Sequence, residues 1–384
     1  MSLAESSSPS PEASSGPRVH SFTFPTMGTL GRVSWSGGVD EAELFSVLVA
    51  RVREIEARLT RFSRDSEISR LDGTWREVSE DIAAVMAAAR VHHAGTRGHF
   101  SALMGAQMRA WTEIAGAASS DSAGVESERP SNAVGAQEPA QQQARIRPGV
   151  QEQTQLQTPA RLQAQAQVGG ERALPGSEGS LPSGDGSLRR ACGSIEVDGG
   201  RCRVIGAPPR AVDLGGIAKG YAADQLRDLA VALGAGDVLV SLGTSSMAVA
   251  DSPARIGLAS PWVGWERAGI LTLGEGALAV SADPGTVRAG RHSELVRQRS
   301  HVLDPATGEP ALTDLCCVVV CGADGMACEA YSTAYLAMGL DAALELDSEH
   351  PELSTMFLTV SGRMLASPSL RFAAARGIQE WLAH

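Results

Sequence analysis

The stretch that decides the fold is AVDLGGIAKGYAADQL, Ala211–Leu226. Ala211 to Leu214 reads as a short apolar strand. Gly215 and Gly216 then let the backbone turn sharply and come close to whatever lies beside it. A helical pattern follows to about Leu233. The free N–H groups and dipole of such a helix face the turn, which makes a cradle for an anion with Lys219 in its first turn. The spacing is neither a Walker A loop, which needs more residues between its glycines and a Ser/Thr after the lysine, nor GxGxxG. A tight strand-to-helix turn that needs glycine for packing accounts for the same residues.

Outward from this segment, apolar runs come with few helices between them. Upstream, Ser194–Ile205 reads as a hairpin turning at Gly199-Gly200. Downstream, strands are predicted at Asp237–Leu242, Ala254–Ser260, Ala268–Leu273, Ala277–Ser281, Cys316–Cys321 and Met356–Ser361, with a helix at Gly325–Met338. Nearer the N-terminus, Ser21–Trp35 reads as strand and Asp40 caps a helix to about Thr60. Ser79 caps a second helix to Ala94, and a third short helix ends near Trp111. Strands outnumber crossover helices, so the fold class is α+β, with largely antiparallel sheets and flanking helices, not a doubly wound sheet.

Composition divides the chain of 384 residues. Residues 1–17 are a Ser/Pro-rich tail, and residues 116–190 are an insertion containing QEPAQQQARIRPGVQEQTQLQTPARLQAQAQ. Neither can bury enough apolar area to offset its ordering entropy, so both are predicted to be disordered. Residues 18–115 and 191–384 then form two parts of one domain. The formal charge of -11 argues against nucleic acid as a partner, and 4% aromatic content leaves few stacking platforms. No apolar run is long enough to span a bilayer, which predicts no membrane insertion. The N-terminal residues carry no basic, apolar or lipid-attachment signal, and no two of the six cysteines form a CxxC pair. A cytoplasmic protein with small buried thiols is the expectation. Lys219 is the only lysine among the 33 basic residues, a compact point charge that the arginine fork does not replace.

Three other segments could carry chemistry. In MACEAYSTAYLAMG, Glu329 and Thr333 lie four residues apart on one helix face and offer hard oxygen ligands suited to magnesium. They are equally an ordinary polar face and a threonine bonded back to its own helix. In SHVLDPATGEP, His301 precedes a turn at Asp304-Pro305 and could act as a general base, or be a surface histidine. RFSRDSEISRLD, Arg61–Asp72, is a polar loop by itself. No GxSxG elbow offers a serine nucleophile.

Taken in order, TFPTMGT, RFSRDSEISRLD, VDLGGIAKGYAADQL, SHVLDPATG and the Glu329/Thr333 helix resemble the ApbE-like flavin transferases. The resemblance covers Phe22 to about Gly339 except the insertion. It implies a tunnelling-fold-like α+β domain that binds FAD and a magnesium ion. It further implies transfer of FMN from FAD to a threonine hydroxyl of an acceptor protein, with release of AMP. Carried over by position, the Gly215-Gly216 turn would lie against FAD, and Met27, Phe62, His99, Phe100, Ser101, Tyr221 and Leu303 would line it. The carbonyl of Ala218 with Glu329 and Thr333 would hold magnesium, His301 would take the acceptor proton, and Lys219 would stabilise diphosphate charge. The chain departs from the family pattern at four places: Ser101 stands for an aspartate, Glu329 for an aspartate, Asp72 for an asparagine, and VSLGTS (Val240–Ser245) for a VNLGGN-like run. Hydrolysis of FAD to FMN and AMP, or a flavin-binding protein with a decayed site, are the alternatives these departures leave open.

Overall fold

The computed structural model describes residues 19–121, 154–155, 193–262, 267–283 and 302–376, with the side chains of 114–121 and 154–155 left aside. The tail, most of the 116–190 insertion, Cys192 and His301 lie outside the described residues. Six helices and three sheets are described, and the class is α+β.

The main sheet has eight strands, every neighbouring pair antiparallel. From one edge these are Val19–Thr26 (β1), Thr29–Ser36 (β2), Gly236–Leu242 (β7), Ser246–Val249 (β8), Gly276–Ala282 (β11), Leu315–Gly322 (β12), Ser354–Thr359 (β13) and Met364–Ala366 (β14). A three-stranded sheet joins Arg76–Glu77 (β3) to the hairpin of Ser194–Asp198 (β5) and Arg201–Ile205 (β6). The third sheet joins Thr154–Gln155 (β4), Ala254–Ala259 (β9), Arg267–Leu273 (β10) and Phe372–Ala374 (β15). The helices are Glu41–Leu59 (α1), Glu80–Gly95 (α2), Gly105–Asp121 (α3), Ala218–Ala232 (α4), Gly325–Met338 (α5) and Leu340–Asp347 (α6).

The main sheet is the middle layer, because side chains alternate across a strand. In β12, Cys317, Val319 and Cys321 join Leu278, Met356 and Leu258 in a core against the third sheet. Val318 and Val320 point the other way, into a core with Tyr335 and Leu336 of α5 and Leu346 of α6. Burial on both faces explains why this strand reads as an unbroken apolar run. A third core gathers α1, α2 and α4 over β2 and β7, with Trp35, Leu48, Ile82, Leu226 and Val240 fully buried. The five described cysteines are buried and unpaired. Burial raises their thiols, Cys202 to about 11 and Cys317 and Cys321 to about 12. Among the described residues no helix is long and apolar enough to cross a membrane.

Both predicted caps form: Asp40 accepts from the Glu43 N–H and Ser79 from the Ile82 N–H. Three local readings are corrected. Ser21–Trp35 is a hairpin and not one strand, closed by a two-residue loop with φ of 47° at Met27 and 72° at Gly28. Two left-handed residues in succession match the strand twist, at a strain cost for methionine. Ala211–Leu214 joins no sheet; it is extended and bonded to the entry of α3, Asp213 N–H to Ala102 O at 2.8 Å and Gly105 N–H to Ala211 O at 2.7 Å. The helix expected to stop near Trp111 runs on to Asp121.

Candidate active site

Helices α4 and α5 lie side by side on the main sheet, α4 over β7 and β8 and α5 over β11 and β12. Their N-terminal turns meet at a pair of glycines. A Cβ on Gly220 would fall 2.1 Å from the carbonyl oxygen of Gly325, so only glycine permits this approach. The contact brings the first turn of α4 beside the second turn of α5.

The entry to α4 is built by Asp213. Its Oδ1 accepts the Gly215 N–H at 2.9 Å, which shapes the turn, and its Oδ2 lies 2.9 Å from Arg61 Nε. Gly216 is the point of closest approach: a Cβ there would lie 3.3 Å from the Phe100 ring and 3.4 Å from Thr333 Oγ1. Ile217, at the N-cap, supplies no side-chain cap, and the Ile217 and Ala218 N–H groups turn back onto Leu214 O at 3.1 and 2.8 Å. Phe100 is held from behind, its N–H on Thr96 Oγ1 at 3.1 Å and its carbonyl 2.7 Å from His93 Nδ1.

Glu329 is 4% exposed. Its Oε1 accepts a hydrogen bond from Ser246 and pairs with Lys219 Nζ at 3.1 Å. Its Oε2 is buried with no hydrogen-bond partner, in a residue that lines the cleft described below. Lys219 also donates to Gly215 O at 3.3 Å. Thr333, one turn on, lies 3.3 Å from Ser281 Oγ, which is itself 2.9 Å from Ser332 Oγ. Ser332 donates to the Glu329 carbonyl at 3.0 Å.

These groups open into a cleft of about 260 Å³, just below the usual span of small-molecule sites, about 300–1,000 Å³. One wall is His99, Phe100, Ser101 and Met104 with Met108 of α3; the floor is Gly215, Gly216, Lys219, Glu329 and Thr333; the far wall is Val302, Leu303 and Pro305. Leu303 is fixed by a bridge to Pro310, and Asp304 organises the turn by accepting the N–H groups of Ala306 and Gly308.

Most of the residues singled out in the sequence therefore share one cleft: His99, Phe100, Ser101, Gly215, Gly216, Lys219, Leu303, Glu329 and Thr333. Ala218 opens α4 immediately before Lys219. Met27 and Phe62 do not line the cleft; Met27 sits in its hairpin loop, and Phe62 is 80% exposed with the Arg61 guanidinium over its ring. Tyr221 departs from expectation. Its hydroxyl donates to Asp81 in the interior, where Asp81 also binds Arg51 and Arg58. Burial opposes ionisation of Asp81, but the bonds from Arg51, Tyr221 and Arg58 outweigh it and hold the carboxyl at about 2. Burial and that bond push the Tyr221 phenol up. A buried phenol needs a partner, and here the partner lies away from the cleft.

The hydroxyls of Ser246, Ser281 and Ser332 were not foreseen, since serine in a strand or helix is unremarkable by itself. Among the described residues no three His, Cys, Asp or Glu side chains gather to hold a metal. A cation here would rest on one carboxylate, neutral oxygens and the ligand's own phosphates. Magnesium binds in that manner with nucleotides, and the unpartnered Glu329 Oε2 fits it.

Comparison with known proteins agrees with this architecture. The ApbE family model matches residues 27–357. The FAD:protein FMN transferase of Treponema pallidum is 29% identical over 168 residues, 41% of this chain and 46% of that protein. That of Klebsiella pneumoniae is 29% identical over 170 residues, 43% of this chain and 52% of that protein. The chain thus spans about half the length of the curated relatives it matches. The flavin transferase ApbE from Vibrio cholerae superposes with a TM-score of 0.66 at 21% identity, covering 92% of this chain and 98% of that one, a likeness of fold.

Proposed function

The chain belongs to the ApbE family, and on that footing we propose that it is an FAD:protein FMN transferase. It moves FMN from FAD to the hydroxyl of a threonine on an acceptor protein and releases AMP. The observation that carries this reading is the convergence of Lys219, Glu329 and Thr333 on the Gly215-Gly216 turn within one cleft. The same turn, with an uncapped helix start behind it, suits a diphosphate.

In the reaction the threonine oxygen attacks the phosphorus on the flavin side of the diphosphate. The bond from that phosphorus to the bridging oxygen breaks, and AMP leaves with the bridging oxygen and its electron pair. The threonine proton passes to a base, and His301, which precedes Val302 in the sequence, is the residue proposed for it. Little covalent chemistry falls to the protein, so positioning and charge neutralisation dominate. Lys219 supplies positive charge at the floor. Gly216 admits the backbone close to the phosphates. Phe100 closes one side and keeps water from the phosphorus. Glu329, Thr333 and the Ala218 carbonyl would hold magnesium, which when bound offsets the charge that builds on the phosphate oxygens. The cytoplasm is the proposed location, in keeping with unpaired buried cysteines.

The test is incubation with FAD, magnesium and an acceptor domain carrying the threonine, read by intact mass. A single FMN adduct is expected, and Glu329→Gln should abolish most of the magnesium dependence. Intact FAD binding with no adduct would reject transfer, and AMP release without acceptor would make the protein a hydrolase.

A further inference from the structure

Glu329 is a buried carboxylate whose charge is met from within the protein. Among the described residues the only cation within ion-pair distance of it is Lys219, at 3.1 Å. The ammonium is anchored a second time on the Gly215 carbonyl, at the turn where the phosphates are proposed to sit. Lys219 keeps 24% of its side chain exposed and lines the cleft, whereas Glu329 is almost wholly enclosed. The lysine can therefore swing toward a ligand, and the glutamate cannot.

These facts set two cations in competition. A divalent ion at Glu329 would share one enclosed carboxylate with an ammonium already touching it, and like charges at such range in a poorly hydrated site repel strongly. With the cleft empty, the lysine holds the carboxylate at no cost in bound ions. An anionic diphosphate arriving at the Gly215-Gly216 turn gives the ammonium another partner a short swing away. Glu329 is then left uncompensated, and a metal becomes the group that restores its balance.

We propose that Lys219 is a placeholder for the metal, neutralising Glu329 in the empty cleft and releasing it when a diphosphate binds. Metal and dinucleotide then bind as a coupled pair, each tightening the other by the same factor. The proposal rests on the reading of the cleft as a site for FAD and magnesium. It adds a role for Lys219 before the chemistry begins.

Binding of Mn²⁺ alone, followed through the electron paramagnetic resonance signal of the free ion, tests it without turnover. Wild-type protein should bind Mn²⁺ weakly and gain about tenfold or more on addition of FAD. Lys219→Met and Lys219→Gln should each tighten Mn²⁺ binding about tenfold without FAD and lose most of the gain that FAD confers. Lys219→Arg, which keeps a cation, should stay weak without FAD. If both neutral variants bind Mn²⁺ without FAD no better than wild type, while FAD and Mn²⁺ still bind together, the placeholder role is wrong and the reading of the cleft stands. If no protein binds Mn²⁺ even with FAD present, the reading of the cleft falls and the proposal falls with it.

Discussion

Replacing Gly220 with alanine tests whether the spacing of α4 and α5 governs the chemistry. The added Cβ would lie 2.1 Å from the Gly325 carbonyl oxygen, 2.4 Å from its carbon and 3.0 Å from the Met326 nitrogen. All three are backbone atoms at the start of a helix and cannot rotate aside. Ordinary contact begins near 3.4 Å, so the helices must part by roughly an ångström. Overpacking of a core costs about 1–3 kcal/mol, and a backbone clash this deep belongs at about 3. Alanine returns about 1 kcal/mol of helix propensity. The net loss of about 2 kcal/mol should lower the melting temperature by about 4–8 °C. Transfer should suffer more, because α4 carries Lys219 while α5 carries Glu329 and Thr333. Displacement by an ångström is worth about a hundredfold in rate. Circular dichroism melts and the rate of FMN adduct formation by mass spectrometry measure the two effects. Gly325→Ala, whose Cβ would meet Gly220 O at 2.6 Å, should behave alike. Wild-type melting and rate in Gly220→Ala would refute the reasoning outright. A destabilised variant at full rate would show that helix spacing does not tune the site.

The remaining predictions concern the supports of the site. Asp81 titrates at about 2 in the folded protein against an ordinary 3.8, so it contributes stability above about pH 4 that is lost as the pH falls toward 2. The contribution is about 2 kcal/mol, and in urea titrations Asp81→Asn should be less stable than wild type at pH 6 but lose less on going to pH 3. Asp213→Ala removes the acceptor of the Gly215 N–H and the partner of Arg61, and calorimetry should find FAD bound about tenfold more weakly.

Much of the fold was legible because the apolar pattern was strong where burial was strong. The run at Leu315–Gly322 is buried on both faces and could scarcely be anything but a central strand. The helices behind Asp40 and Ser79 announced themselves by cap and period together. Ser246–Val249 escaped notice because four residues are too few to show a period. The Met27-Gly28 turn escaped because methionine is not a turn residue and only the tertiary fold forces it there. Ala211–Leu214 misled for a different reason. Its apolar residues are buried, as in a strand, but its hydrogen bonds go to Ala102 and to Gly105 at the start of α3, not to another strand.

The candidate site was half legible. Glycines before a helix and an oxygen pair four residues apart are local patterns, and the fold brings them into one cleft. The bond from Ser246 to Glu329 spans 83 positions, and that from Tyr221 to Asp81 spans 140. Nothing local in a sequence encodes such pairings. For that reason the serines were overlooked and Tyr221 was expected at a surface it does not reach.

Reagents that modify primary amines scatter over many sites on most proteins, yet this chain offers a single side-chain target, Lys219. Reductive methylation with isotope-enriched formaldehyde would place one dimethylamino reporter at the candidate centre, apart from any at the amino terminus. Its nuclear magnetic resonance signal would follow occupancy of the cavity with no engineered label anywhere in the molecule.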